Sequence, residues 1–85
     1  MLTLTGIITL LWAEVPPGTL LSLERDERDV TRWIIRCGGY RLVGTVGGAC
    51  TVNHGQTPLI TYPFEERLDM IESLLAVVGE EARRG

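Results

Sequence analysis

The stretch TRWIIRCGGYRLVG, residues 31–44, decides the fold, because it reads as a β-hairpin whose turn fixes the direction of every side chain on both strands. Gly38 and Gly39 make a two-residue turn of the kind that needs positive φ, which glycine adopts without steric cost. That turn sets Cys37 opposite Tyr40, Ile35 opposite Leu42 and Trp33 opposite Gly44, all on one face. The other face carries Arg36 opposite Arg41, Ile34 opposite Val43 and Arg32 opposite Thr45. Two arginines directly opposed repel each other, so water, a carboxylate of the same fold or an anionic partner must answer them.

The apolar hairpin face needs a cover, and the C-terminal segment supplies one. Phe64, Leu68, Ile71, Leu75 and Val78 recur at helical spacing and predict one apolar stripe. Pro63 is placed to begin this helix, with Thr61 or Tyr62 at the cap position and Glu65 and Glu66 in the first turn, where the helix dipole favours negative charge. Gly79 is the natural stop, although Leu74 to Val78 would also suit a short terminal strand. Trp33 is then expected to be buried over Gly44, near Ile35, Leu42, Phe64, Leu68 and Ile71.

Upstream, two readings compete. Leu4, Ile7, Ile8, Leu11, Trp12 and Val15 fit one helical face with Thr5 as N-cap, while Leu2, Leu4, Ile8, Leu10 and Trp12 alternate with threonines as a strand would. The favoured reading is a short helix over residues 6–14, ended by Val15-Pro16-Pro17-Gly18, which launches residues 19–24 as the first strand. The charge run ERDERD, residues 24–29, then forms a solvated hairpin tip. A three-residue loop, residues 27–29, sets Leu23 beside Trp33, Leu21 beside Ile35 and Glu24 against Arg32, with Asp29 in the left-handed position. Downstream, short strands are expected at residues 50–52 and 59–61, joined by a tight turn over residues 53–56. The result is one α+β domain, residues 1–85: a small antiparallel sheet of three to five strands packed on a C-terminal helix, with a short N-terminal helix.

Eighty-five residues suffice for one core and not two. The 45% hydrophobic and 22% charged content belongs to a folded globular chain. No apolar run approaches the ~18 residues of a bilayer span, and residues 6–13 lack a basic leader, so the chain is expected to be cytoplasmic and without membrane contact. All eight basic residues are arginine, which excludes a P-loop lysine, a Schiff-base lysine and any lysine nucleophile. Residues 1–62 balance five acids with five arginines, and residues 63–85 carry the whole net charge of −3. Long-range attraction for nucleic acid or anionic lipid is therefore small.

Catalytic and metal groups are thin. Cys37, Cys50 and His54 offer three zinc ligands where a structural site wants four, and no CxxC pair exists. A Cys50/His54 nucleophilic pair lacks a third residue to orient the imidazole. The glycines match no G-x-G-x-x-G motif, and Glu65, Glu66, Asp69 and Glu72 lie on the solvated side of the helix. No cofactor, no metal and no enzymatic activity are expected, and both cysteines should be reduced.

The segment VPPGTLLSLERDERDVTRWIIRCGGYRLVG resembles small uncharacterised proteins of actinobacterial phages, over about residues 15–45. The likeness rests on a Pro-Gly-Thr step into a strand, a charged hairpin tip, a Trp in the next strand and Gly-Tyr-Arg-Leu-Val-Gly on the return. It implies a small sheet with a helix and a phage or prophage origin, and brings no catalytic residues with it.

The leading functional expectation is a non-enzymatic protein-interaction module that binds a host or phage protein through Arg32, Arg36, Tyr40 and Arg41. The alternatives are a β-sheet nucleic-acid binder using the same arginines with Tyr40 as a stacking neighbour, and a self-assembling homo-oligomer.

Overall fold

The computed structural model describes residues 3–29 and 31–84. Its elements run α1 (Leu4–Glu14), β1 (Leu21–Arg25), β2 (Arg32–Cys37), β3 (Tyr40–Thr45), β4 (Cys50–His54), β5 (Thr57–Tyr62), a 3₁₀ turn (Phe64–Glu66) and α2 (Arg67–Arg84). The five strands form one antiparallel meander in the order β1-β2-β3-β4-β5. Fold class is thus α+β, as the sequence predicts.

The central hairpin forms in the expected register, Trp33 with Gly44 through Cys37 with Tyr40. Only Gly38 takes a positive φ, +60°. Trp33, Ile35, Cys37, Leu42, Cys50 and Val52 line the inner sheet face, and both helices pack on it through Ile7, Leu11, Met70, Ile71, Leu74 and Val78. Trp33 is fully enclosed because Gly44 makes room: a Cβ there would sit 2.8 Å from Trp33 Cζ2 and 3.1 Å from the Ala49 carbonyl.

The N-terminal helix is real but begins earlier than expected. Thr3, not Thr5, is its N-cap, accepting from the Gly6 N–H at 3.1 Å. Leu2, used by the strand reading, lies outside the described residues. Ile7 and Leu11 are the buried positions, whereas Trp12 points into solvent at 74% exposure. Val15 closes the helix and Pro16-Pro17 forbid its continuation.

The β1–β2 register departs by two residues from expectation: Leu21 faces Cys37, Leu23 faces Ile35 and Arg25 faces Trp33. The aspartates cause the slip. Asp26 Oδ1 accepts from the Arg28 N–H at 2.8 Å, and Asp29 Oδ1 accepts from the Thr31 N–H at 3.0 Å and the Thr31 hydroxyl at 2.6 Å. Each side-chain turn spends two residues of backbone, so the hairpin closes where the Asp26 N–H meets the Arg32 carbonyl. Asp29 has no positive φ. The Thr31 bonds instead hold its carboxyl below the ordinary carboxylate range.

β4 and β5 extend beyond the short strands expected, with their turn contracted to Gly55-Gln56. A bulge falls between Val52 and Asn53 on their partners Ile60 and Pro58, leaving Leu59 unmatched.

The C-terminal helix also differs in phase. Pro63 itself caps the 3₁₀ turn, and its carbonyl accepts from the Glu66 N–H at 3.0 Å. That tighter turn advances the helix, so the buried stripe is Arg67, Met70, Ile71, Leu74 and Val78, while Leu68 stands 57% exposed. Gly79 does not stop it. Helix α2 continues to Arg84, bound at this end by Glu81 Oε1, which accepts from the Gly39 N–H at 3.2 Å. At the other end the buried Arg67 guanidinium donates to the carbonyls of Thr45 at 3.2 Å and Gly48 at 3.4 Å, and lies 4.4 Å from the Phe64 ring centre. These anchors lay α2 antiparallel to β3.

Candidate functional site

Both helices cover one face of the sheet, and no described helix covers the other. Strand alternation places Ser22 and Glu24 of β1, Arg32, Ile34 and Arg36 of β2, Arg41 and Val43 of β3, and Thr51 and Asn53 of β4 on it. Ile34 and Val43 are half-buried side by side at its centre. Arg36 and Arg41 stand opposed at the end nearest the Gly38 turn.

The two arginines are answered unequally. Arg36 Nε donates to Glu24 Oε2 at 3.4 Å, an exposed pair worth at most about 1 kcal/mol. Arg41 has no ion pair among the described residues, and its Nε is buried without a hydrogen-bond partner there. Beside it a cleft of about 190 Å³ is bordered by Arg36, Gly38, Gly39, Tyr40, Arg41, Gly55 and Gln56. A planar guanidinium presented at such a cleft is chemically suited to a carboxylate, which supplies two acceptor oxygens to its fork of donors.

Arg32 does not join this pair, and Tyr40 borders the same cleft without turning its ring toward the arginines. Arg32 sits four residues from Arg36 along the strand, about 13 Å away, and pairs with Asp26 at 3.6 Å. The sequence reading set Glu24 against Arg32; the two-residue slip gives Glu24 to Arg36 and Asp26 to Arg32 instead. Tyr40 lies on the opposite, helix-covered face, stacked on the His54 ring with centroids 4.5 Å apart. His54 Nε2 in turn lies 3.8 Å from Glu81 Oε2, so this cluster sets the end of α2 over the start of β3 and the end of β4.

The remaining polar candidates are dispersed. Cys50 and His54 occupy opposite ends of β4, about 13 Å apart, and Cys37 lies on β2. Both thiols are buried; burial pushes Cys37 up to about 11, reinforced by the Glu81 carboxylate, and Cys50 up to about 12 against the opposing pull of Arg67. Among the described residues no three His, Cys, Asp or Glu side chains are grouped to hold a metal ion. Glu65, Glu66, Asp69 and Glu72 are exposed. No helix among the described residues is long and apolar enough to cross a membrane. No protein-family model, curated protein or solved structure matches the chain.

The residue that sequence reasoning missed is Glu24, whose role depends on the β1 register. Its one sequence signal was its position two strands from Arg41 on a face that already carried too much positive charge.

Proposed function

We propose that this chain is a non-enzymatic protein-interaction module whose bare sheet face takes an acidic segment of a protein partner. The observation that carries the reading is Arg41: it stands opposite a second arginine across the hairpin, borders the same cleft, and has no ion pair among the described residues. A partner carboxylate at the cleft beside Arg36 and Arg41 would relieve the repulsion between the two guanidiniums and pair with their outward donors. Ile34 and Val43 supply an apolar strip beside the charged end, the combination of anchor and rim that protein interfaces use. The resemblance of about residues 15–45 to actinobacterial phage proteins supports a host or phage protein, met in the cytoplasm, as the partner.

Nucleic-acid binding is the poorer fit. Net charge is −3, Arg32 and Arg36 already have carboxylate neighbours, and Tyr40 faces away from the arginines, which removes the base-stacking platform.

The test is binding of an array of Asp- and Glu-rich peptides, each beside its Asn/Gln counterpart, by the native chain and by the R36Q/R41Q variant. The expected result is retention of acidic peptides by the native chain and loss by the variant, whose unfolding free energy in urea stays within about 0.5 kcal/mol of the native one. Equal binding of acidic and amide peptides, undiminished binding by the variant, or an unfolded variant would each sink the proposal. Tight binding of single-stranded oligonucleotides with a steep salt slope would move the assignment to nucleic acid.

A further inference from the structure

The two edges of the sheet are treated differently. β5 carries Pro58 within the strand and a bulge at Leu59, two devices that prevent another strand from pairing there. β1 has neither, and pairs with β2 in unbroken register over Leu21–Arg25. The Gly38 N–H donates to the Leu20 carbonyl and the Asp26 N–H to the Arg32 carbonyl, so the even-numbered residues of this edge direct their backbone groups toward β2. The amides and carbonyls of Leu21 and Leu23 therefore face outward. Exposed leucines follow the same edge: Leu23 is 44% exposed and Leu20 81% exposed.

We infer that β1 is a homodimerisation edge, where a second copy of this chain pairs antiparallel about a two-fold axis at Ser22. A two-fold at Glu24 would oppose like charges, which excludes it. One at Leu23 would set Leu21 against Arg25 of the other copy. The axis at Ser22 places the smallest side chain of the strand at a non-hydrogen-bonded position, where strands approach most closely. It sets Leu21 against Leu23 of the other copy twice over and lets those residues exchange four backbone hydrogen bonds. It also puts each Glu24 beside the other copy's exposed Leu20 and keeps the two carboxylates apart. The product is a continuous ten-stranded sheet with all four helices on one side and both Arg36–Arg41 pairs on the other, independent of what those arginines bind.

Sedimentation velocity over a concentration series tests the pairing. The native chain should show a monomer–dimer equilibrium. S22D sets two carboxylates face to face at the axis while offering each monomer a new partner for Arg36, so it should fold and weaken the dimer at least ~10-fold. L23P removes an outward N–H and no bond to β2, and should be a folded monomer. A purely monomeric native chain, or a folded S22D as dimeric as the native one, overturns the inference. Register is read by oxidation on non-reducing gels: S22C should give a covalent dimer and E24C should not, the native Cys37 and Cys50 being buried. Cross-linking of E24C equal to that of S22C overturns the axis.

Discussion

Trp33 and Gly44 form one packing unit, and their energetics follow from the space between them. Gly44→Ala inserts a methyl carbon 2.8 Å from the indole and 3.1 Å from the Ala49 carbonyl, a clash that neither rigid neighbour can relieve. The variant should lose about 2 kcal/mol in urea denaturation, within the ~1–3 kcal/mol range for overpacking. Trp33→Ala should cost roughly 3–5 kcal/mol, whereas Trp12→Ala, on the exposed side of α1, should stay within about 0.5 kcal/mol. Finding the two tryptophans equal would contradict the assignment of the core. Arg67 carries the same logic for a charge. The residue is 5% exposed, tolerable because the guanidinium donates to two carbonyls and stacks on Phe64. Arg67→Met keeps the length, loses the donors, and should destabilise by roughly 2 kcal/mol in the same assay.

At the scale of elements, helix α2 makes the clearest prediction. Gly79 lies inside it, and a Cβ there meets nothing within 4 Å. Gly79→Ala should therefore stabilise the protein by about 0.5–1 kcal/mol, raising the urea midpoint, where a glycine serving as a helix stop would be destabilised by the change. The helix outlasts its glycine because Glu81 is held by the Gly39 N–H, and because Arg84 Nη2 donates to Glu80 at 2.7 Å. Such tertiary anchors are invisible in local propensity. The same division runs through the rest of the fold. The β2–β3 register could be read because a two-residue glycine turn leaves no choice of pairing. The β1–β2 register could not, since its loop length depends on whether Asp26 and Asp29 turn their carboxylates back onto the backbone. The phase of α2 was hidden by the 3₁₀ turn at Phe64–Glu66, which moved Arg67 into the core and Leu68 out of it. The candidate site inherits this pattern: the opposition of Arg36 and Arg41 was legible, but the pairing of Glu24 with Arg36 hung on the strand that slipped.

For the molecule as a whole, the two helices on one sheet face make a single layer that holds both buried thiols and the buried Arg67. Cys37 and Cys50 are in that layer, with thiols pushed up to about 11 and about 12. In the unfolded chain both ionise near the ordinary value of 9.0. Between that value and the folded ones, the unfolded state sheds protons that the folded state keeps, so it is the unfolded state that gains from rising pH. Folding stability is consequently intact below about pH 9 and lost as pH climbs toward the folded values, each thiol contributing a slope of up to roughly 1.4 kcal/mol per pH unit. Urea midpoints at about pH 8 and about pH 10 should differ accordingly, and Cys37→Ala, whatever its packing cost, should reduce the pH slope by about half. The native thiols should also resist iodoacetamide at pH 8 until denaturant is added, because the thiolate is the reactive species and burial suppresses it. Rapid labelling of the folded protein, or a stability flat through pH 10, would place at least one of these cysteines outside the core and dissolve the single-layer description on which both the bare arginine face and the open β1 edge depend.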